Sequence, residues 1–252
     1  MSGHSKWANI KHRKGRQDAK RGKMFTRIGK EITIAAREGG GDPESNPRLR
    51  LAIQNARSVN MPSDNITRAI KRGTGEIEGV RYEESMYEGY APNGVAVILE
   101  TVTDNKKRTV SEVRSTFTKH GGNLGEPNSV AWNFERKGVI SVKTDDRSED
   151  DILEHVLESG AEDMEYSEDI TRIICPIDSF TEANKYFEDN GFNIEESKVE
   201  YLPQNMVKIE NINDARKVLK FMEVIEDHDD VQNVYANFDI DDQLVEEIAA
   251  EN

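Results

Sequence analysis

One cysteine, Cys175, stands in 252 residues. That excludes a disulfide framework or a zinc-finger ligand set within one chain, and a reducing compartment fits. Long apolar runs are missing too. VAVIL at 95–99 is the longest obvious one, against the roughly 18 apolar residues a membrane span requires. The basic N-terminus runs into no apolar segment, so it does not read as a secretory signal. Catalytic signatures are equally scarce: neither G-x-S-x-G nor G-x-x-x-x-G-K-[ST] occurs, and the histidines form no H-x-x-x-H pair. The first thirty residues lack acid. Asp18 stands alone there among ten cations.

That last absence leads to what is present. Residues 1–80 hold 17 Lys and Arg against 8 Asp and Glu, a balance of +9, although the whole chain carries −14; the remainder therefore carries −23. Such asymmetry implies an anionic partner for the front of the chain. A phosphate backbone is the leading candidate, because clustered cations gain affinity by releasing its condensed counterions. The candidate contacts are Lys6, Trp7, Lys11, His12, Arg13, Lys14, Arg16, Lys20, Arg21, Lys23, Arg27 and Lys30. Trp7, with an indole in so polar a stretch, can stack on unpaired bases, as can arginine planes. The plainer alternatives are a solvated charged surface and a tryptophan folded back on the nearest core.

Residues 1–22 read as a flexible basic arm leading into a first helix, which runs from near Arg16 to Arg37 and stops at Gly39-Gly40-Gly41. At about 100° per residue, Met24, Phe25, Ile28, Ile32, Ala35 and Ala36 share one arc. Arg16, Lys23, Arg27, Lys30 and Arg37 fall opposite, as a cationic solvent face. Asn46-Pro47 opens a second helix, with Arg50 and Arg57 on one face. After Met61-Pro62, Ser63 caps a third helix that ends at Lys71-Arg72-Gly73. Together 23–80 make a small helical domain.

From Tyr87 the periods change. VAVILETVT at 95–103 is strand-like, 105–120 is helical and Val130–Phe134 alternates as a strand. Residues 138–204 then read as a complete β-α-β-β-α-β unit. The elements of 205–239 cannot stand alone, and 81–137 lacks a second α-β. The expectation is a discontinuous α/β domain, 81–137 plus 205–239, into which 138–204 is inserted, with an acidic tail at 240–252. The fold class is thus α+β in three domains: a helical domain followed by two ferredoxin-like α/β domains, one inserted in the other.

Long tracts also carry a resemblance. MSGHSKWANIKHRKGRQDAKRGKMFTRIGKEI, NPRLRLAIQNARSVNMPSDNITRAIKRG, TDNKKRTVSEVRSTFTKHGGNLGEPNSVAWNFERKG and IEDHDDVQNVYANFDI closely resemble the YebC/PmpR family, over essentially the whole chain. That family includes bacterial proteins described as probable transcriptional regulators and a mitochondrial translational activator of cytochrome oxidase subunit I. The resemblance implies a helical N-terminal domain with two α/β domains, a cytoplasmic location, DNA binding in some members and no established enzymatic activity. It also implies a role at the ribosome, easing synthesis of proline-rich stretches.

The expected function is therefore a non-enzymatic, cytoplasmic, nucleic-acid-binding regulator of gene expression. Its partner would be DNA, RNA or the ribosome. No cofactor, metal, membrane or small-molecule substrate is expected, and a monomer is the expected state. The alternative within this class is a ribosome-associated translation factor. A more distant one is a metal-dependent phosphodiesterase using carboxylates between Asp227 and Asp242, although the spacing matches no calcium loop. GGNLGEPNSVAW at 121–132 reads as a helix stop and turn, with Lys119, His120, Asn123 and Asn128 as polar loop groups. Cys175, inside RIICPI, reads as an inert core thiol.

Overall fold

The structure, a computed structural model, describes residues 17–250. Helix α1 spans Gln17–Gly39, and Gly40 follows in the left-handed region, with φ 86°. Helices α2 (Pro47–Ser58) and α3 (Ser63–Thr74) pack against it. Ile32, Ala35 and Ala36 of α1 meet Leu49, Ala52, Ile53 and Ala56 of α2, and Ile66 and Ala69 of α3, in one core. The expected arc holds there, with Phe25 and Ile28 packed against the same core, but Met24 is 36% exposed.

Asn46 ties the end of α1 to the start of α2. The Asn46 Oδ1 accepts from the Leu49 N–H at 3.0 Å, and its Nδ2 donates to the carbonyls of Ala35 and Gly40 at 2.8 Å each. It thus satisfies orphan groups at the end of one helix and the start of the next. A Cβ at Gly39 would lie 2.6 Å from that amide. Gly73 allows a comparable approach of α3, since a Cβ there would lie 2.4 Å from the Thr33 carbonyl. Ser63, expected as a cap, is instead the first residue of α3. Pro62 precedes it and no side chain caps the helix.

The chain then forms β1 (Glu83–Tyr90), β2 (Ala96–Thr103), α4 (Lys106–Lys119), β3 (Asn123–Leu124) and β4 (Phe134–Lys143). Next come α5 (Glu149–Ser159), β5 (Asp163–Glu165), β6 (Ile170–Cys175), α6 (Phe180–Asp189) and β7 (Ile194–Pro203). Last are β8 (Val207–Ile209), α7 (Ile212–Glu226), β9 (Val231–Ala236), β10 (Phe238–Ile240) and α8 (Asp242–Ala250). Strands β5-β6-β4-β7 form one sheet, the strand order of a split β-α-β fold. In this domain Ser148 caps α5 reciprocally with Asp151, and Gly160 ends it at φ 77°. The domain also joins the helical one. Asn55 exchanges hydrogen bonds with Ser197 at 2.8 and 2.9 Å, and the Ser58 hydroxyl donates to the Glu195 carbonyl at 2.6 Å.

The other four-stranded sheet has the order β3-β1-β2-β9, antiparallel throughout. Helices α4 and α7 cover one face through Val113, Phe117, Val218, Leu219, Phe221 and Met222. Helix α7 and β9 supply the α-β that the 81–137 segment lacked. Strand β1, which the sequence reading did not assign, takes the place that the third strand of a β-α-β-β-α-β unit would fill. The fold is α+β with a helical domain and two ferredoxin-like domains, the second contained within the sequence of the first. Where the chain leaves for β4 and returns from β7, three asparagines clasp it. Asn133 Oδ1 accepts from the backbone and side-chain N–H groups of Asn205, and Asn237 Nδ2 donates to the Asn205 carbonyl at 2.8 Å.

Two further expectations differ. Val130–Phe134 is not a strand: Ala131–Asn133 forms a 3₁₀ turn and Phe134 begins the long β4. The segment expected as an acidic tail folds into β10 and α8, with Ile240, Val245 and Ile248 buried against the sheet-and-helix core.

Candidate nucleic-acid interface

Lys6, Trp7, Lys11, His12, Arg13, Lys14 and Arg16 lie outside the described residues. Lys20 and Arg21 fall within the first turns of α1, which begins at Gln17, beside the start expected near Arg16. Lys23 is exposed and Arg27 half-buried. Lys30 differs from expectation. It is only 8% exposed, next to residues 32–36, five consecutive positions that are buried all round the helix. The periodicity of one helix could not reveal a second and third packing partner. Among the α1 cations whose side chains are described, Lys23 and Arg37 are therefore the exposed ones, with Arg37 3.9 Å from Glu38.

Helix α3 adds cations that the sequence reading passed over. Arg68, Lys71 and Arg72 are exposed, spaced i, i+3, i+4, and so share one arc opposite the core residues Ile66 and Ile70. Arg57 of α2 is exposed as well. None of these four has an ion pair among the described residues. Other arginines nearby are occupied. Arg48 pairs with Glu31 at 2.8 Å and Glu38 at 2.7 Å, and Arg50 donates to the carbonyls of Pro43 and Glu44. The RAIKR spacing of α3 carries this signal in the sequence, in a stretch less densely basic than the one upstream.

The glycine-rich turn cannot cradle a phosphate, for a reason absent from its own sequence. The Glu88 carboxylate, 4% exposed, accepts the backbone N–H groups of Asn128, Val130 and Ala131 at 2.7–2.8 Å. The amides an anion would need already hold one. Trp132 stands 69% exposed at the end of this turn, its indole N–H donating to the Ser129 carbonyl at 3.0 Å.

Of the carboxylates considered for metal chemistry, Asp230 is likewise committed. Asp230 is 6% exposed, and its Oδ2 accepts from Thr103, Thr109 and Arg108 at 3.1, 2.8 and 2.9 Å. Its N–H donates to His228 Nδ1, leaving Nε2 to face Glu112 at 3.1 Å. Glu112, His228 and Asp230 lie close enough to surround a cation, but the Arg108 guanidinium already supplies the positive charge. Asp230 holds that guanidinium above its ordinary pKa, with Asp104 contributing. The cluster is a latch between α4 and the turn before β9. Cys175 is fully buried, and burial, with Glu162 contributing, pushes its thiol up to about 12. Such a thiol is inert at neutral pH.

Comparison with known proteins agrees across the length of the chain. Residues 5–76 match the TACO1/YebC protein N-terminal domain, and residues 82–238 match the TACO1/YebC second and third domain. A "probable transcriptional regulatory protein" of Dictyoglomus turgidum is 54% identical over 250 residues, covering 99% of this chain and all of the relative. A protein of the same description from Thermotoga maritima is 53% identical, covering 98% of each chain. The crystal structure of a conserved hypothetical protein from Aquifex aeolicus superposes with a TM-score of 0.85 at 48% identity, over 89% of this chain and 93% of that one. No helix among the described residues is long and apolar enough to cross a membrane. By sequence and by fold, the chain belongs to the TACO1/YebC family.

Proposed function

We propose that this protein is a non-enzymatic, cytoplasmic regulator of gene expression that binds nucleic acid through its basic N-terminal end. The observation that carries the reading is the segregation of charge: +9 in residues 1–80 of a chain whose total is −14. Besides the basic run 6–21 of the sequence, Lys23, Arg57, Arg68, Lys71 and Arg72 are exposed on the folded helical domain. The names of the relatives, probable transcriptional regulatory proteins, favour DNA as the partner. A second reading, action on RNA at the translating ribosome, draws on Trp7 among the cations. An indole stacks on unpaired bases and finds none free in a duplex.

Replacing Arg13, Lys14, Arg16 and Lys20 with Ala is the test. Binding should weaken linearly with log salt, and the quadruple variant should flatten the slope by roughly three to four units if each side chain meets one phosphate. Unchanged affinity and slope on DNA, RNA and ribosomes would refute the reading. Crosslinking in cells, with sequencing of both DNA and RNA, decides between the two partners. Trp7→Ala should weaken binding to unpaired strands by about 1–3 kcal/mol and leave duplex binding unchanged. Metal-dependent hydrolysis of phosphodiesters that Asp229→Ala abolishes would instead establish an enzyme.

A further inference from the structure

Outside the helical domain the protein is acidic, yet α4 presents a cationic face there. Counting about 100° per residue from Lys107, Ser111, Arg114 and Thr118 fall within one narrow arc, which Ser115 and Lys119 widen. All six are exposed. Thr109, Val113 and Phe117 are buried on the opposite side. The cations of the helix are of two kinds. Lys106 pairs with Glu83 at 3.0 Å, and Arg108 pairs with Asp104 and Asp230 at 2.8 and 2.9 Å. Lys107, Arg114 and Lys119 have no ion pair among the described residues. Glu112 is the one acid on the helix. It lies at the margin of the arc, where His228 engages it. The flanking cations neutralise the protein's own carboxylates, while the outward ones face solvent.

We infer that this face of α4 docks the backbone of double-helical RNA. The inference rests on the nucleic-acid reading above and gives it a second contact surface. The arc carries no aromatic ring to stack on unpaired bases, and its cations and hydroxyls suit contact with a nucleic-acid backbone. Its groups are two ammonium groups and one guanidinium, interspersed with the hydroxyls of Ser111, Ser115 and Thr118. An A-form helix offers matching chemistry, namely phosphates and 2′-hydroxyls that both donate and accept along a wide, shallow minor groove. At 1.5 Å of rise per residue, Lys107 and Arg114 stand roughly 10 Å apart and Lys107 and Lys119 roughly 18 Å. Each can therefore meet a different phosphate.

The test uses the full chain, with an RNA duplex, a DNA duplex of the same sequence and an unpaired RNA, titrated across salt. Lys107→Ala/Arg114→Ala/Lys119→Ala should flatten the salt slope on duplex RNA by about two to three units, with unaltered thermal unfolding. Ser111→Ala/Ser115→Ala should lower affinity for duplex RNA several-fold at unchanged slope and spare the DNA duplex. If the triple variant binds duplex RNA as the parent does, while the Arg13/Lys14/Arg16/Lys20 variant has lost binding, this inference is overturned and the N-terminal reading stands. If neither variant changes binding, both are overturned. An equal effect of the serine variant on the DNA duplex overturns the assignment to RNA.

Discussion

Two sets of basic residues in this chain are used in opposite ways. Arg172 of β6 is 8% exposed, and its guanidinium reaches Glu165 on one side and Glu200 on the other. Burial alone would weaken the charged form, but the two carboxylates together raise its pKa. Arg68, Lys71 and Arg72 of α3 are exposed and have no carboxylate partner among the described residues. The first arrangement satisfies its charges inside the fold and offers nothing to a partner. The second contributes little to the fold and leaves its field for another molecule. Counting charges along a sequence cannot separate these uses, since the partners of Arg172 lie 7 and 28 residues away.

The largest expected effect tests the buried side of this contrast. Arg172→Ala removes the partner that Glu165 and Glu200 share, leaving Lys198 3.5 Å from Glu200, and should cost about 3 kcal/mol in denaturant unfolding. Removing Arg68, Lys71 and Arg72 together should change the same measurement by no more than about 0.5 kcal/mol per site. Comparable losses for the two variants would show that the α3 cations are structural after all.

Next in size is Glu88, a buried carboxylate that serves the fold through backbone amides in place of an arginine. Glu88→Ala strands three N–H groups in the turn below Trp132, with an expected loss of about 2–3 kcal/mol. Hydrogen exchange at Asn128, Val130 and Ala131 should quicken, while exchange within β6 stays slow. Retained protection at those three amides would mean that the turn holds itself.

These cases mark where sequence reasoning stopped. Elements with local determinants were readable. Gly39-Gly40-Gly41 ends α1, Ser148 and Gly160 bracket α5, and the Val- and Ile-rich β2 announces itself. Strand β1, EESMYEGY, has no β-branched residue, and its strand state comes from pairing with β2 along its whole length. The alternation of Val130, Trp132 and Phe134 suggested a strand. Glu88, some forty residues earlier, draws those amides into a turn instead and leaves Trp132 outside. Lys30 shows the same limit within the candidate interface. One helical wheel cannot count how many neighbours a helix has.

A smaller effect separates junction from surface within the helical domain. Asn46→Ala removes the cap of α2 and two donors to the end of α1, and should lower stability by about 1–2 kcal/mol. Asn46→Asp keeps the acceptor for Leu49 but loses both donors and buries a charge, so it should be no better than alanine. If aspartate restores wild-type stability, capping alone explains the residue and the contacts to Ala35 and Gly40 contribute nothing.

The smallest change in stability goes with the sharpest functional reading. Arg68→Ala/Lys71→Ala/Arg72→Ala alters side chains opposite the core, so the helical domain should unfold as before. If these cations meet phosphates, the slope of log affinity against log salt should nonetheless flatten by about two to three units on duplex nucleic acid. The loss should be nearly the same for unrelated sequences, because backbone contacts position a protein without reading bases. Lys30→Ala supplies the contrast within the same domain. Its side chain is enclosed, so its salt slope should match the parent and any effect should appear in unfolding instead. A reversed outcome, with the slope moving for Lys30 and not for α3, would shift the interface from the open surface of α3 to the middle of α1.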